Sequence, residues 1–437
     1  MLAGLFMGVL VAATPITLDE VRTRSRENLS SLAAALEAER AALGVTQARS
    51  GLLPGVSASA GAGLQYNGPR EEYYTAPDGS VAPLRIEESN YGFYRLNLNV
   101  RQLIYDGAVW ARLSEAGASA EAAKGQAREE RDTSELEGIR RFYNLYRAQE
   151  KLRVIQQSVE RSERQVAVAE SLYNAGRGAW SDVLNARIDL GNDRIRVVAH
   201  QTELVNAQAD LAVWLRMKGT TELVAQDPGL PEELVLAQTG LEDAVKEAEA
   251  QRPLLVVIEK QLEASRARRS AARASFLPRV SVNGSYSRGA PYADLFFTRW
   301  GLQNSLSAGL QVEWDLFNGM NDWAATEIAQ TGIREAELTL EQTRRDIEAD
   351  IRKAWVAMRR LAETAELSKL NRDIAKESLA AINERFAAGL ATQLEVRDAE
   401  LKLTDAELIL VESRLDVEVA KATLERVIGT LSGGTRS

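Results

Sequence analysis

The sequence contains no cysteine, one histidine and only ten prolines in 437 residues. Without cysteine it has no disulfide framework, thiolate zinc site or thiol nucleophile, and His200 alone leaves no histidine pair for a metal. We therefore expect no metal, no other cofactor and no catalytic residues. Beyond residue 13 no stretch of about 18 uncharged apolar residues occurs, so the sequence predicts no transmembrane helix.

The charged residues give a net charge of -9, from 62 acids and 53 bases. The two signs are mixed along the chain rather than grouped in blocks, which argues against a nucleic-acid partner. A hydrophobic content of 45% also argues against a disordered chain.

The prolines and the aromatic residues divide the chain into alternating regions. No proline occurs between residues 84 and 227 or between 292 and 437, and both spans are rich in Ala, Glu, Arg and Leu. Because proline breaks helices, these spans predict long helices. Of the 26 aromatic residues, 17 lie in 56–110 and 276–323, so two aromatic patches alternate with two helical tracts.

The first residues form a short apolar run, LAGLFMGVLVAA, ending in Ala12 and Ala13. This pattern is typical of a secretory signal, and we expect residues 1–13 to be a signal peptide. The alternative is the start of a buried helix, because no Lys or Arg precedes the run.

The two halves of the chain are copies of one unit. Leu53-Pro54 recurs as Leu277-Pro278 after 224 residues, and Ala175-Gly176 recurs as Ala388-Gly389 after 213. Because the first offset is larger than the second, the first half carries extra residues between these two motifs. We assign them to a longer loop at 67–83.

Each half predicts a helix, two strands, a very long helix and a shorter returning helix. The predicted segments of repeat 1 (14–216) are a helix at 17–52, strands at 55–66 and 92–103, a long helix at 107–173 and a returning helix at 180–216. After a linker at 217–240, repeat 2 (241–430) has a helix at 241–276, strands at 279–287 and 305–316, a long helix at 319–386 and a returning helix at 393–430, followed by a tail at 431–437.

The four predicted strands alternate between apolar and polar residues. From Val56 to Tyr66 every even position is apolar, whereas the odd positions are Ser, Gly or Gln. A soluble sheet packed on a core would show the same alternation. Aromatic residues near the strand ends, including Tyr91, Trp110 and Trp300, favour a membrane β-barrel with aromatic girdles. Since about eight strands are needed to close a barrel, several chains must share it.

The predicted long helix at 107–173 would extend for about 100 Å, too long for one compact domain. The helices carry heptad seams typical of coiled coils. These seams are Leu152, Ile155, Val159, Ser162, Val166, Ala169 and Tyr173; then Val183, Ala186, Leu190, Asp193, Val197, His200, Leu204, Ala207 and Leu211; and, in repeat 2, Val396, Ala399, Leu403, Ala406, Leu410, Ser413, Val417, Ala420, Leu424 and Val427. His200 on a seam predicts a packed or hydrogen-bonded residue rather than a ligand.

Paired segments in both halves resemble the TolC family of outer-membrane channel proteins. The segments are QARSGLLPGVSASAGAG and AARASFLPRVSVNGSYS, the boundaries LIYDG and DLFNG, and the turns SLYNAGRGAWSDVLNAR and ERFAAGLATQLEVRDAE. The resemblance covers nearly the whole chain after residue 13. It implies a mostly α protein with a membrane β-barrel part, in which a homotrimer builds a twelve-stranded outer-membrane barrel continuing into a coiled-coil helical tunnel in the periplasm.

The resemblance also implies partners and sites. A periplasmic adaptor would dock at the turns between long and returning helices, and an inner-membrane transporter would supply the substrates. Carried over to this sequence, the docking turns are Tyr173, Asn174, Ala175, Gly176, Arg177, Gly178 and Trp180 in one half, and Phe386, Ala388, Gly389 and Leu390 in the other. Gly176 and Gly389 are expected to adopt positive φ, as residues that end helices at tight turns often do.

Family members often close the tunnel with acidic rings before the second turn. Here the candidate constriction residues are Glu377, Asn383 and Glu384, whereas Ala380 and Ala381 stand where an acid is expected. Arg252-Pro253-Leu254-Leu255 is another departure, because the family usually has an acid after this proline.

These features predict the outer-membrane exit duct of a tripartite efflux or type I secretion system. The alternative is a soluble periplasmic coiled-coil scaffold without channel activity. An enzyme is a third hypothesis with little support, because no Ser, His or Cys triad pattern is present.

Overall fold

The computed structural model describes residues 14–77, 79–230 and 240–431. The predicted signal peptide, residues 231–239 of the predicted linker and residues 432–437 of the predicted tail lie outside the described residues. The described part forms two compact units. We call residues 39–121 and 260–338 the sheet unit, and the described residues before 39, at 122–259 and after 338 the helical unit.

The elements of the first half follow one another from Thr14 to Ala225. They are β1 (Thr14–Ile16), α1 (Leu18–Ser25), α2 (Leu29–Ser50), β2 (Gly55–Asn67), β3 (Arg70–Thr75), β4 (Val81–Ile86), β5 (Ser89–Tyr105), α3 (Gly107–Asn174), α4 (Trp180–Trp214) and β6 (Leu223–Ala225). The second half contains α5 (Leu241–Gln251), α6 (Pro253–Ala274), β7 (Arg279–Ala290), α7 (Ala293–Thr298), β8 (Asn304–Glu313), α8 (Asn321–Ala387) and α9 (Gln393–Ile428).

The predicted helix at 17–52 is wrong in one respect, because it is interrupted between α1 and α2. At the break, Ser31 Oγ donates to the carbonyl of Arg26 at 2.7 Å. Arg22 and Arg26 both donate to the buried carboxylate of Glu135, with Nε–O distances of 2.8 and 2.6 Å. The bend therefore lets α1 contact α3 through an ion pair between residues distant in sequence.

The predicted helix at 241–276 is also interrupted, at Arg252. Arg252 has an extended backbone (φ -69°, ψ 120°), the conformation favoured before proline. Pro253 then occupies the first position of α6, where its missing amide hydrogen costs nothing. The proline ends one helix and begins the next.

Other boundaries differ by a few residues. The strand predicted at 92–103 runs from Ser89 to Tyr105, and the strand predicted at 305–316 ends at Glu313. The long helix predicted from 319 begins at Asn321 because Gly319 and Met320 have left-handed backbones, with φ of 69° and 70°.

The sheet unit contains a four-stranded antiparallel sheet in the order β2-β5-β7-β8. The second strand of the first half thus pairs with the first strand of the second half. The predicted loop at 67–83 contains strand β3, which pairs with β4 in a two-stranded antiparallel ribbon. In the helical unit, β1 and β6 form a short parallel pair that the sequence analysis did not predict.

The register of this sheet gathers the apolar residues on one face. Val56 lies opposite Val100 and Ala58 opposite Leu98, while Ser57 pairs with Asn99 on the other face. The apolar face is exposed at both edges of the sheet. Val56 is 71% exposed, Leu64 84% and Leu306 82%.

The core of the helical unit lies along its coiled-coil seams. The predicted α9 seam is buried at all positions except Ala406 and Ala420, which are partly buried. Near the turns, Val183 and Ala186 pack against Ala169, as the seams of α3 and α4 predict.

Among the described residues, no helix is both long enough and apolar enough to cross a bilayer.

Candidate functional site: the two helix turns and the seam beside them

The first turn joins α3 to α4. Gly176 has a φ of +72°, as predicted for a residue that ends a helix at a tight turn. The Gly176 amide donates to the carbonyl of Tyr173 at 2.9 Å, and the Arg177 amide donates to that of Leu172 at 2.9 Å. These two bonds form a Schellman motif, which satisfies the last carbonyls of the long helix.

The second turn joins α8 to α9 with the same geometry. Gly389 has a φ of +76°, and its amide donates to the carbonyl of Phe386 at 3.0 Å. The Leu390 amide donates to the carbonyl of Arg385 at 2.8 Å. Thr392 and Glu395 then cap the start of α9 reciprocally, in a capping box. The internal repeat thus extends to the hydrogen bonds of its turns.

The two turns differ in the side chains that they expose. At the first, the rings of Tyr173 and Trp180 lie 5.2 Å apart, and Arg187 lies 5.8 Å from the centre of the Trp180 ring. Trp180 is 48% exposed. At the second, Leu390 is 70% exposed and Leu394 is 78% exposed. One turn therefore presents an aromatic and cationic surface, and the other an aliphatic surface.

The remaining predicted docking residues have mixed exposure. Residues 174, 175, 177 and 388 are exposed, whereas Gly178 is partly buried against Leu172. Phe386 is partly buried and packs on the core cluster of Leu379 and Val396. Its side chain therefore supports the α8–α9 seam.

The predicted constriction residues lie near the end of α8. Glu377, Asn383 and Glu384 are all exposed. On a helix of 3.6 residues per turn, the two glutamates lie about half a turn from Leu379 and Phe386, which pack on α9. Within the described residues none of the three has a side-chain hydrogen bond or ion pair, so the two carboxylates face away from α9 without a partner.

A buried polar network lies on the seam beside the turns. The side chain of Asp193 on α4 is fully buried, and Arg397 on α9 donates to both of its carboxylate oxygens, at 2.9 and 3.0 Å. Ser162 and Ser158 on α3 donate to the same carboxylate at 2.5 and 3.3 Å. The network therefore connects three helices.

The charged groups of the network have shifted pKa values. Burial by itself would raise the pKa of Asp193, but the hydrogen bonds from Arg397 and Ser162 outweigh it and lower that pKa. Burial raises the pKa of Glu400, against the hydrogen bond from Gln165. Burial also raises the pKa of Asp189.

The heptad pattern places Ser162 and Asp193 on seams of neighbouring helices but does not predict that they interact. Two polar residues at apolar heptad positions were the available signal. The sequence did not indicate that Arg397 takes part in the network, because this residue lies outside the predicted α9 seam. His200 is mostly buried, with Nδ1 2.9 Å from a Glu203 carboxylate oxygen. Among the described residues, no cluster of His, Asp and Glu could hold a metal ion.

Two apolar stripes remain exposed in the helical unit. One stripe lies on α4, on a different face from the residues that pack on α3. The other lies on α8, on a different face from the residues that pack on α9. Ile195 is 68% exposed, and Leu370 is 56% exposed. The α4 stripe is Leu184, Ile188, Ile195, Val198 and Val205, and the α8 stripe is Val356, Leu367, Leu370 and Ile374. Both repeat with heptad spacing, as a seam with a further helix would.

The sheet therefore has an exposed apolar face, and two helices of the helical unit carry exposed apolar stripes. The model of the outer membrane efflux protein family matches residues 23–215 and 244–430. The chain belongs to this family. It is an outer-membrane protein of the TolC type and a channel component, not an enzyme.

Individual proteins agree with this assignment. The outer membrane protein TolC of Vibrio cholerae serotype O1 is 24% identical over 425 residues, covering 95% of this chain and 91% of that protein. The CmeC outer membrane channel of Campylobacter jejuni has a similar structure, with a TM-score of 0.76, 16% identity, and coverage of 95% of this chain and 86% of CmeC. The open state of the Neisseria gonorrhoeae MtrE outer membrane channel gives a TM-score of 0.71 at 18% identity, covering 94% of this chain and 88% of MtrE.

Proposed function

We propose that three copies of the chain form the exit duct of a tripartite efflux or type I secretion system. Each chain contributes four strands to a twelve-stranded barrel in the outer membrane, and the long helices form the periplasmic part. Substrates pass from an inner-membrane transporter and a periplasmic adaptor through this duct to the outside.

The observation that carries the proposal is the exposed apolar face of the sheet. Leu64, Leu306 and Leu310 are 84%, 82% and 67% exposed, which is stable only against lipid or a protein partner. Strands β2 and β8 each have one unpaired edge. A bilayer requires these edges to be satisfied, and four strands are too few to close on themselves. Pairing β2 with β8 of another copy satisfies both edges.

The exposed stripes of the helical unit support the same assembly. They lie on two different helices, so contact between the α4 stripe of one chain and the α8 stripe of the next uses two different surfaces. Such heterologous contacts produce closed rings when the rotation between copies closes. A homotrimer covers all three copies of each stripe.

The turns are the proposed docking surface for the adaptor. Trp180 at one turn and Leu390 with Leu394 at the other are large, exposed and held on rigid helix ends. Trp is a common anchor of protein interfaces, and the two leucines add exposed apolar surface at the second turn. Glu377, Asn383 and Glu384 are the proposed constriction, because three copies of each carboxylate would repel one another and attract cations.

The proposal is tested by membrane fractionation and bilayer recording of the full chain. The protein is expected in the outer-membrane fraction, and the purified protein is expected to produce discrete conductance steps in planar bilayers. Recovery of the protein in the aqueous fraction, without conductance, would support the soluble scaffold instead. As a control, Leu306→Asp places a charge on the proposed lipid face and is expected to reduce membrane insertion.

A further inference from the structure

The charges on the strands of the sheet are almost all of one sign. Strands β2, β5, β7 and β8 contain four arginines and one glutamate, and no lysine or aspartate. The arginines are Arg95, Arg101, Arg279 and Arg288, and the glutamate is Glu313.

Two of these arginines are occupied by neighbouring groups. Arg288 is 1% exposed and donates to backbone carbonyls of α7 and of the loop that follows it, including those of Phe296 at 2.6 Å and Trp300 at 3.0 Å. Arg279 pairs with Glu313 at 3.2 Å and with Asp315 at 3.1 Å. Neither leaves an uncompensated charge on an open surface.

The other two arginines are exposed and lack a carboxylate partner in the described residues. Arg95 lies between Gly61 and Gly289 on the neighbouring strands, and its guanidinium carbon is 4.9 Å from the centre of the Phe93 ring. A Cβ at Gly61 would have no atom within 4 Å, so the space beside Arg95 is open. Arg101 lies between Gly55 and Asn283.

Both arginines lie on the polar face of the sheet. They are six residues apart on β5, which puts them on the same face and about 20 Å apart along the strand. Asn97 and Asn99 lie between them, and Ser59 and Ser57 lie opposite these asparagines. The one acid on these four strands is Glu313, which already pairs with Arg279. No acid of the strands therefore offsets the charges of Arg95 and Arg101.

We propose that the barrel lumen favours anionic solutes, such as those carrying carboxylate or phosphate groups, over cations of similar size. This inference rests on the proposed trimeric barrel, in which the apolar face contacts lipid and the polar face lines the lumen. Three copies of Arg95 and Arg101 then form two rings of positive charge. Walls of low dielectric constant concentrate this field and raise the local concentration of anions.

The conductance of the whole channel is a poor test, because Glu377 and Glu384 are proposed to attract cations elsewhere in the duct. A probe placed in the barrel reports the charge of the lumen separately from the charge of the proposed constriction. The chain has no cysteine, so Asn97→Cys provides a single thiol on the polar face. Its rate of reaction is measured with the anionic sulfonatoethyl methanethiosulfonate and the cationic trimethylammonioethyl methanethiosulfonate, using the full chain in lipid vesicles.

The ratio of anionic to cationic rates at Asn97→Cys is compared with that at Thr75→Cys, on the ribbon outside the sheet. At about 10 mM salt, where the Debye length is about 30 Å, we expect the ratio to be at least about threefold higher in the lumen. Arg95→Gln with Arg101→Gln should remove this excess, and Arg95→Lys with Arg101→Lys should retain it. Arg85→Gln, which removes an equal charge from the ribbon, should not change it.

Leu98→Cys shows whether the barrel itself is correct, because Leu98 lies on the opposite face from Asn97. If Asn97→Cys reacts, Leu98→Cys is protected and the ratio does not respond to the arginine substitutions, the channel stands and the anion preference is wrong. If Leu98→Cys reacts as fast as Asn97→Cys, the barrel is wrong and the anion preference fails with it.

Discussion

The Asp193 carboxylate and the Arg397 guanidinium form a two-point ion pair, at 2.9 and 3.0 Å, between α4 and α9. The side chain of Asp193 is fully buried, and that of Arg397 is 13% exposed. The pair joins the hairpin of the first repeat to that of the second.

Replacing Asp193 with Ala should destabilise the helical unit strongly, because it removes both short bonds to the buried Arg397 guanidinium and leaves only the longer ion pair with Asp189, at 3.6 Å. Loss of one partner of a buried pair costs about 3 to 5 kcal/mol. Thermal unfolding in detergent, followed by circular dichroism, measures the effect.

The matched control is Glu170→Ala, which breaks the exposed pair with Arg187 and should cost less than about 1 kcal/mol. Replacing Asp193 and Arg397 together with Leu should cost less than Asp193→Ala, since neither charge of this pair is left buried without the other. Equal midpoints for Asp193→Ala and Glu170→Ala would show that the buried pair has no special role.

The buried Glu400 carboxyl predicts how the stability of the fold changes with pH. Its raised pKa means that the ionised carboxylate is disfavoured in the folded protein. This penalty is complete above the folded pKa and disappears as the pH falls to the unfolded value, about 4.3. Glu400→Gln should therefore be more stable than the native protein at pH 8, and the difference should shrink towards pH 4.

The measurement is the unfolding midpoint of both proteins between pH 4 and 8. Asp193 acts in the opposite sense, since its lowered pKa stabilises the fold above pH of about 3.9 and the stabilisation is lost on further acidification. This loss lies below the pH range of the comparison in both proteins. A difference that is constant with pH would contradict the assigned shift of Glu400.

The turn glycines give a prediction for adaptor binding. Gly176 and Gly389 have φ of +72° and +76°, which costs a residue with a side chain about 1 to 2 kcal/mol. Gly176→Val and Gly389→Val should therefore distort the turns and weaken adaptor binding. Trimers should still form, because the change is confined to the turns.

Surface plasmon resonance with the cognate adaptor measures this binding. Gly332→Val is the control, because a Cβ at this helical glycine would contact nothing within 4 Å and its φ is not positive. Native affinity in both turn variants would remove these glycines from the docking surface.

The acidic residues at the end of α8 predict block by cations. Glu377→Ala together with Glu384→Ala should raise the concentration of divalent cation needed for half-maximal block roughly tenfold, the change that follows from losing about 1.4 kcal/mol of binding. Single-channel recording measures the block. Glu363→Ala, which removes a carboxylate paired with Arg360 on the same helix, should leave it unchanged. Unaltered block in the double variant would place the constriction elsewhere.

The regular parts of the fold could be predicted from the sequence because their signals are local. Alternation of period two located the four strands, and heptads located the α9 seam. The break at Arg252 was missed in the predicted helix at 241–276, although Pro253 was a local signal for it. The break after Ser25 was not, because it depends on Arg26 reaching Glu135, a contact across 109 residues of sequence.

The candidate site was predictable only in part. The positive φ of Gly176 and Gly389 follows from a glycine at the end of a helical pattern. The bond between Asp193 and Arg397 could not be predicted, because 204 residues separate them and the order of the helices was unknown. The ribbon of β3 and β4 was missed because Pro69, Pro77 and Pro83 suggested an irregular loop.

Several chains must share one barrel if the sheet is to close, and the number of chains in the detergent-solubilised channel is the direct test of this. Native mass spectrometry of the full chain, released from detergent micelles, gives this number. The proposed assembly predicts three chains, dissociated to single chains by Ile195→Asp on the exposed α4 stripe but not by Glu170→Ala, which lies outside both stripes. A single chain in the native protein, with no conductance in bilayers, would contradict the account.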